Sequence, residues 1–121
     1  DRAGGKILST GGRLKEGGLA LGGYQAERMI STFHVDLAVF SCKGIDLEHG
    51  VTDANESDAQ IKRMICKAAK KKILAVDSSK FDRISFTEVC ELAEVDMVVT
   101  DSEPDERWKK AFSAAQIEVV Y

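Results

Sequence analysis

The apolar positions along the chain fall into helical stripes that predict three amphipathic helices. One stripe, with the spacing i, i+3, i+4, i+7 and i+8, predicts a helix over residues 55–70. Its members are Ile61, Met64, Ile65, Ala68 and Ala69. Two further stripes predict a helix before residue 34 and another near the carboxyl terminus; they consist of Ala26, Met29, Ile30 and Phe33, and of Trp108, Ala111, Phe112 and Ala115.

Polar residues at the ends of these stripes match the requirements of helix termini. Asn55 is the predicted N-cap of the 55–70 helix, and the three lysines at residues 70–72 are expected in its last turn, where they complement the helix dipole. Pro104 is expected in the opening turn of the last helix, where its missing N–H costs nothing.

Short apolar runs without alternation separate the helices and predict strands. They lie at residues 7–8, 37–40, 73–76, 97–99 and 117–121. Such runs are typical of strands buried on both faces of a parallel sheet. Residues 86–92 fit either a helix or a strand. The alternation predicts an α/β fold: a layered sheet, mostly parallel, with flanking helices, in one domain over residues 1–121.

Composition and charge narrow the classes of function. The chain has 121 residues, 44% of them hydrophobic, and a formal net charge of −3, which argues against a free-standing nucleic-acid binder. We expect no membrane-spanning segment and no secretory signal. The three cysteines, without close partners in sequence, are expected to be reduced core residues of a cytoplasmic protein. The two histidines lack further ligands at metal-binding spacing, so we predict no metal and no cofactor.

Candidate ligand contacts follow the predicted strands, because ligands of open α/β sheets bind outside the carboxyl ends of strands. The residues there are small, hydroxylated or glycine, and each of three loops carries a cation that could oppose an anion: Arg13, Lys43 and Lys80. The predicted start of the helix at Asn55 adds a possible anion site. The alternative is that these are ordinary polar turns, since no loop matches a dinucleotide or Walker motif.

The loops and their neighbours resemble, in order, the C-terminal sensor domain of DeoR-family transcriptional repressors. The most specific elements are Asp-Ser-Ser-Lys-Phe at residues 77–81, and Gly-Ile-Asp at residues 44–46 followed by Gly-Val-Thr at residues 50–52. Thr-Gly-Gly-Arg-Leu at residues 10–14 and Val-Asp-Met-Val-Val-Thr-Asp at residues 95–101 extend the resemblance over nearly the whole chain.

The resemblance implies a fold related to sugar-phosphate isomerases and a domain that binds a phosphorylated sugar. The residues expected to contact or support the ligand are Gly11, Gly12, Arg13, Lys43, Gly44, Asp46, Thr52, Glu56, Lys62 and Lys80. In this scheme Lys80 balances phosphate charge, the glycines offer backbone donors, and the hydroxyls of the sugar meet Asp46 and Thr52. Glu56 and Lys62 support the loop from the helix that begins there.

The resemblance also implies the role of the domain in a longer protein. Family members have a winged helix-turn-helix and an earlier part of the sensor with a phosphate loop; the chain is expected to be a partial sensor that meets DNA only through that separate domain. A homo-oligomer is expected, because repressors match the symmetry of paired half-sites.

Two other functions remain open from the residues. The first is a sugar-phosphate isomerase or amino-sugar-phosphate deaminase on the same scaffold, with Asp46, His49 or Glu56 as acid and base. It is disfavoured because the general-base glutamate of the related isomerases has no clear counterpart in the sequence, so no catalytic residue is predicted. The second is an oligomerisation fragment without a ligand site.

Overall fold

A parallel sheet of four strands forms the centre of the fold. The computed structural model describes residues 34–121 and the backbone of two short strands before them. The strands are β1 (Arg13–Leu14), β2 (Leu21–Gly22), β3 (Val35–Phe40), β4 (Gly44–Asp46), β5 (Gly50–Asp53), β6 (Ala69–Ala75), β7 (Thr87–Cys90), β8 (Met97–Val99) and β9 (Glu118–Val120). The α-helices are α1 (Glu56–Ala68) and α2 (Glu106–Ala114). Strands β3, β6, β8 and β9 lie side by side in that order, and all three pairings are parallel.

The α/β class and the parallel sheet predicted from the apolar runs are confirmed, and so are the four strands that fall in the described range. The predicted strand at residues 7–8 and the helix built on the stripe before residue 34 lie outside the described residues. Residues 86–92, which fitted two structures, contain strand β7, and a short 3-10 helix, Leu92–Glu94, begins at the last of them.

Helix α1 begins where the sequence predicts and ends earlier. The side chain of Asn55 accepts a hydrogen bond from the N–H of Asp58 at 2.9 Å, so Asn55 is the N-cap. The expectation that the lysines at residues 70–72 close this helix is wrong. The backbone becomes extended at Ala69, because residues 69–75 pair with β3 as strand β6. Pro104 also lies one residue before the N-cap of α2, Asp105, rather than in its first turn.

A second, antiparallel sheet was not predicted. Strands β4, β5 and β7 form it, in that order, and the residues of β4 and β5 were expected to be ligand-binding loops. The hairpin between β4 and β5 turns over residues 47–49, and strand β5 begins at Gly50, whose φ of +73° is readily adopted only by glycine. A Cβ at Gly50 would also lie 2.6 Å from the carbonyl oxygen of Cys90.

The core fills the space between the helices and one face of the parallel sheet. Its largest fully buried side chains are Trp108, Phe112, Ile45 and Leu74. The three cysteines are free and buried, as predicted. The expectation that the strands are buried on both faces is wrong for β3 in the described structure. Along this strand Ala38 and Phe40 are buried, while Leu37 and Val39 are exposed.

Candidate functional site

Three loops meet at the carboxyl edge of the parallel sheet. They follow β3, β6 and β8, and they lie at one edge because neighbouring parallel strands end on the same side. Hydrogen bonds join the last two: the N–H of Val76 donates to the carbonyl of Val99 at 3.0 Å, and the N–H of Ser78 donates to the Asp101 carboxylate at 2.7 Å. The convergence predicted from the sequence is therefore present for these described loops.

The loop after β6 is a capped 3-10 turn that fixes the position of Lys80. Asp77 caps the turn by accepting the N–H of Ser79 at 2.9 Å. At the other end, the Phe81 ring packs edge-on against Trp108, with centroids 4.9 Å apart. Lys80 lies between these two anchors, and its ammonium group is 3.7 Å from the Asp77 carboxylate. A pair at this distance on the surface contributes little energy.

The loop after β3 places a buried thiol among charged groups. Burial raises the pKa of the Cys42 thiol to about 11, while the N–H of Gly44, which donates to the sulfur, and the positive charge of Lys62 act in the opposite direction. The charges of Asp53 and Lys80 also act on this thiol. Cys42 therefore lies within the electrostatic influence of charged groups on β5, α1 and the loop after β6.

Lys62 is held by a buried carboxylate that the sequence analysis missed. Its ammonium group donates to Asp53 at 2.5 Å, and Asp53 is only 1% exposed. The second carboxylate oxygen of Asp53 accepts the N–H of Ala54 at 2.8 Å. Lys62 thus fixes α1 to β5 beside the site. The sequence offered one indication, an acidic residue nine positions before a helical lysine, but only the fold brings the two together.

Gly44 and Thr52 make close contacts and hydrogen bonds within the protein. A Cβ at Gly44 would lie 2.5 Å from the carbonyl oxygen of Arg83, so close packing against the chain requires glycine there. The Thr52 hydroxyl donates to the Gly44 carbonyl at 3.2 Å and accepts the N–H of Ser85 at 2.8 Å. Thr52 is also 3% exposed. We therefore assign these two residues to positioning of the loop rather than to contact with a sugar.

Asp46 caps the β4–β5 hairpin and pairs with a histidine. Its carboxylate accepts the N–H groups of Glu48 and His49 at 3.0 and 2.9 Å, and lies 2.9 Å from Nδ1 of His49. The side-chain hydrogen bond to His49 lowers the pKa of Asp46, and the same bond raises the pKa of His49. Both groups belong to a solvent-facing turn.

Glu56 ties α1 to strand β7. Its carboxylate accepts two hydrogen bonds from Arg63, at 2.7 and 3.1 Å, and one from the Thr87 hydroxyl at 2.9 Å. The bond from Arg63 is the main reason why the pKa of Glu56 is lowered to about 2. Support of a ligand loop by Glu56 stays a prediction.

A cavity of about 240 Å³ opens beside this edge, between the loops after β6 and β8. Its lining residues are Ser78, Phe81, Asp82, Ser102, Glu103, Pro104, Asp105 and Trp108. The lining contains carboxylates and none of the lysines discussed above, so it is poorly suited to a phosphate. Asp82 and Glu103 form ion pairs with Arg107 and Lys109.

Contact of the predicted lysines with a ligand stays a prediction. Lys62 and Lys80 both act on Cys42, and Lys43, exposed and directly after Cys42, makes no ion pair with another described residue. Gly11 and Gly12 lie outside the described residues, and Arg13 is described only as backbone of β1.

Comparison with known proteins identifies the family. The family model described as the DeoR C terminal sensor domain matches residues 1–102. The chain belongs to the DeoR C-terminal sensor domain family. Over the described part of this sensor domain, no helix is long and apolar enough to span a membrane, and no group of three or more potential metal ligands comes together.

Relatives of this DeoR sensor domain are named as transcriptional regulators. The chain is 36% identical to the uncharacterized HTH-type transcriptional regulator YulB of Bacillus subtilis, over 93% of its own length and 44% of that protein. It is 37% identical to the HTH-type transcriptional repressor GlcR of Bacillus subtilis, over 88% of the chain and 41% of the relative. It is 33% identical to the L-fucose operon activator of Haemophilus influenzae, over 83% of the chain and 41% of that protein. The chain therefore spans less than half the length of these relatives.

Proposed function

We propose that the chain is the effector-binding part of a transcriptional repressor and that its effector is a phosphorylated sugar. The observation that carries this proposal is the meeting of the chain after β3 with the loop after β6: Phe81 forms a β-bridge with Ile45, and the N–H of Asp82 donates to the Ile45 carbonyl at 2.8 Å. Lys43 and Lys80 lie in these two loops. A phosphate monoester is doubly charged near neutral pH and needs cations and N–H donors. Membership of a sensor family supports a binding role for this edge.

Within this proposal the cations have different tasks. Lys80 and Lys43 meet the phosphate, because Lys80 has only a long ion pair and Lys43 has none among the described residues. Lys62 keeps its ion pair with Asp53 and supports the ligand site by holding α1 against β5. Arg13, with the Gly11 and Gly12 backbone, completes the anion site from the preceding loop. Asp46 lies on the adjoining hairpin as the expected contact for a sugar hydroxyl, accepting it alongside the hydrogen bonds of its turn.

Binding without turnover follows from the same geometry. A general base must reach the proton that it removes, and its carboxylate must be available for that proton. Both oxygens of the Glu56 carboxylate already accept hydrogen bonds from Arg63 or Thr87, so Glu56 is not available as a base. The named relatives are regulators, which agrees with a domain that binds and does not convert its ligand.

The ligand would act on DNA binding through a separate helix-turn-helix domain in a cytoplasmic homo-oligomer. Relatives named HTH-type regulators support this arrangement, since the chain accounts for less than half of their length. For an effector to control the domain, it must bind more tightly to one of two conformations than to the other.

The proposal is tested by binding of hexose monophosphates and the matching free sugars to the 121-residue chain, measured by calorimetry and thermal shift. Glucose 6-phosphate and fructose 1-phosphate serve as probes. A phosphosugar at about 100 times its dissociation constant should add about 2.7 kcal/mol to the free energy of unfolding. Absence of any shift with a panel of phosphosugars, in a folded sample, would support the oligomerisation fragment instead.

The variant Lys80→Ala separates phosphate contact from other effects. Losing one hydrogen bond to a charged group costs about 1.5 kcal/mol or more, so affinity for the phosphosugar should fall about tenfold while affinity for the free sugar stays the same. Lys70→Ala is the matched control, because Lys70 is an exposed lysine near the opposite, amino end of β6. Equal losses for both ligands would contradict the assignment of Lys80.

A further inference from the structure

Helix α1 packs against strand β7 of the antiparallel sheet. Side chains on the outer side of this contact bridge the two elements at two places. The Thr87 hydroxyl donates to the Glu56 carboxylate at 2.9 Å, and Nη2 of Arg63 donates to the carbonyl of Glu88 at 2.6 Å. Because Glu56 and Arg63 are two helical turns apart, α1 stays beside β7 over most of its length.

Two thiols meet on the inner side of the same contact. Cys66 lies two turns after Ala59 on the buried face of α1, and Cys90 is the last residue of β7. The two cysteines are 6% and 5% exposed and belong to one core cluster. A hydrogen bond joins them, in which the Cys90 thiol donates to the sulfur of Cys66. The proposed ligand site uses neither thiol.

The hydrogen bond makes the two sulfurs unequal. It lowers the pKa of the Cys66 thiol, and the positive charges of Lys72 and Lys62 add to this effect, while burial and the charge of Glu94 oppose it. The same bond raises the pKa of Cys90, and burial raises it further. Since the thiolate is the nucleophilic form of cysteine, Cys66 is the sulfur that attacks first.

We propose that Cys66 and Cys90 form a redox-active dithiol, which a small peroxide converts into a disulfide between α1 and β7. The Cys66 thiolate attacks one peroxide oxygen, the O–O bond breaks, and the leaving hydroxide takes up the proton of the Cys66 thiol as water. The Cys90 sulfur then attacks the sulfenic acid on Cys66. The S–S bond forms, the S–O bond breaks, and the second hydroxide leaves as water with the proton of Cys90. Two electrons pass from the two sulfurs to the peroxide.

Burial selects the class of oxidant and gives the bond a consequence. Both sulfurs are nearly inaccessible, so a peroxide of about the size of water reaches them faster than a bulky disulfide does. A disulfide holds its sulfurs about 2 Å apart, closer than a hydrogen bond, so it draws α1 towards β7. Lys62 lies one turn before Cys66 and holds α1 to Asp53, so the movement reaches the ligand site. This consequence rests on the proposed function, whereas the dithiol itself does not.

The test is oxidation of the folded 121-residue chain with hydrogen peroxide, followed by tryptic digestion and mass spectrometry without reductant. Cleavage after lysine and arginine places the three cysteines on separate peptides. We expect the peptides of Cys66 and Cys90 to be joined with loss of two hydrogens and to separate in dithiothreitol. The melting temperature of the oxidised chain should rise by about 10 °C, because the bond restricts the unfolded chain. Cys42→Ala is the matched control and should form the same bond.

Two single variants test the order of attack without any phosphosugar. In Cys90→Ala the sulfenic acid on Cys66 persists, so dimedone should label it, whereas Cys66→Ala should show about tenfold less label on Cys90. Peroxide should not raise the melting temperature of either variant. The proposal is overturned if peroxide joins Cys66 to Cys90 only in the urea-unfolded chain, or if Cys42 pairs with either of them in preference. Equal labelling of the two variants would also overturn it.

Discussion

The ion pair between Lys62 and Asp53 supports the edge where we propose the ligand binds. Removing one partner should show how much the pair contributes to the free energy of unfolding. Asp53 is 1% exposed, and from the described residues its carboxylate accepts two hydrogen bonds, one from Lys62 and one from the N–H of Ala54. Lys62→Met keeps the length of the side chain and leaves the carboxylate with one donor. Breaking a buried ion pair in this way costs about 3–5 kcal/mol.

The Lys62 side chain is 16% exposed, so water can partly replace its ammonium group in the variant. We therefore expect the loss in the free energy of unfolding to lie at the lower end of this range, about 3 kcal/mol. At about 4 °C for each kcal/mol, the melting temperature should fall by about 12 °C. Urea unfolding followed by circular dichroism should show a lower midpoint with an unchanged m-value.

Two further variants make this prediction sharp. Lys67→Met changes an exposed lysine of the same helix and should alter the free energy of unfolding by less than about 0.5 kcal/mol. Lys62→Met combined with Asp53→Leu removes both charges and should recover most of the loss. If Lys62→Met is as stable as Lys67→Met, the buried ion pair does not stabilise this edge of the sheet.

Three other substitutions test neighbouring parts of the site. Gly44→Ala should lower the free energy of unfolding by about 1–3 kcal/mol in urea titrations, because its Cβ would meet the Arg83 backbone at 2.5 Å; a neutral result would contradict that close packing. Thr52→Val should cost about 1–3 kcal/mol by the same assay and leave phosphosugar affinity unchanged, since both hydroxyl bonds are internal; a selective loss of affinity would restore Thr52 to the ligand site. By NMR titration the pKa of His49 should lie above its ordinary value and fall in Asp46→Asn, so the pair stabilises the fold between about pH 4 and about pH 6.5 and less on either side; an unchanged His49 pKa in the variant would contradict the pairing.

The sequence predicted elements well where one local pattern dominates. Helix α1 has a long apolar stripe and an N-cap at Asn55, and both are found. Its end was misplaced because lysines at residues 70–72 suit a helix terminus as well as a strand, and only the pairing of Ala69 with Val35 decides between them. Strand β7 was ambiguous because its apolar residues fit a helical as well as a strand period, and only its pairing with β5 decides between them.

The candidate site was predictable in its location and less so in its chemistry. Polar loops after buried strands indicate the edge, and the structure joins the loops after β6 and β8 there through the hydrogen bond from Ser78 to Asp101. Contact of Lys62 and Lys80 with a ligand stays a prediction. The roles of Thr52 and Asp53 depend on contacts over nine or more positions in the chain, which the sequence does not display. The sequence alone does not distinguish a buried aspartate such as Asp53 from an exposed one.

The most direct test of the account is an amide NMR titration of the 121-residue chain with glucose 6-phosphate and fructose 1-phosphate, repeated with inorganic phosphate. We expect shifts confined to the loops after β3, β6 and β8, at residues 41–44, 77–82 and 100–102, that saturate with a single dissociation constant. Shifts at only one of these loops, or at the acidic cavity around Glu103 instead, would contradict a shared phosphate site at this edge of the sheet.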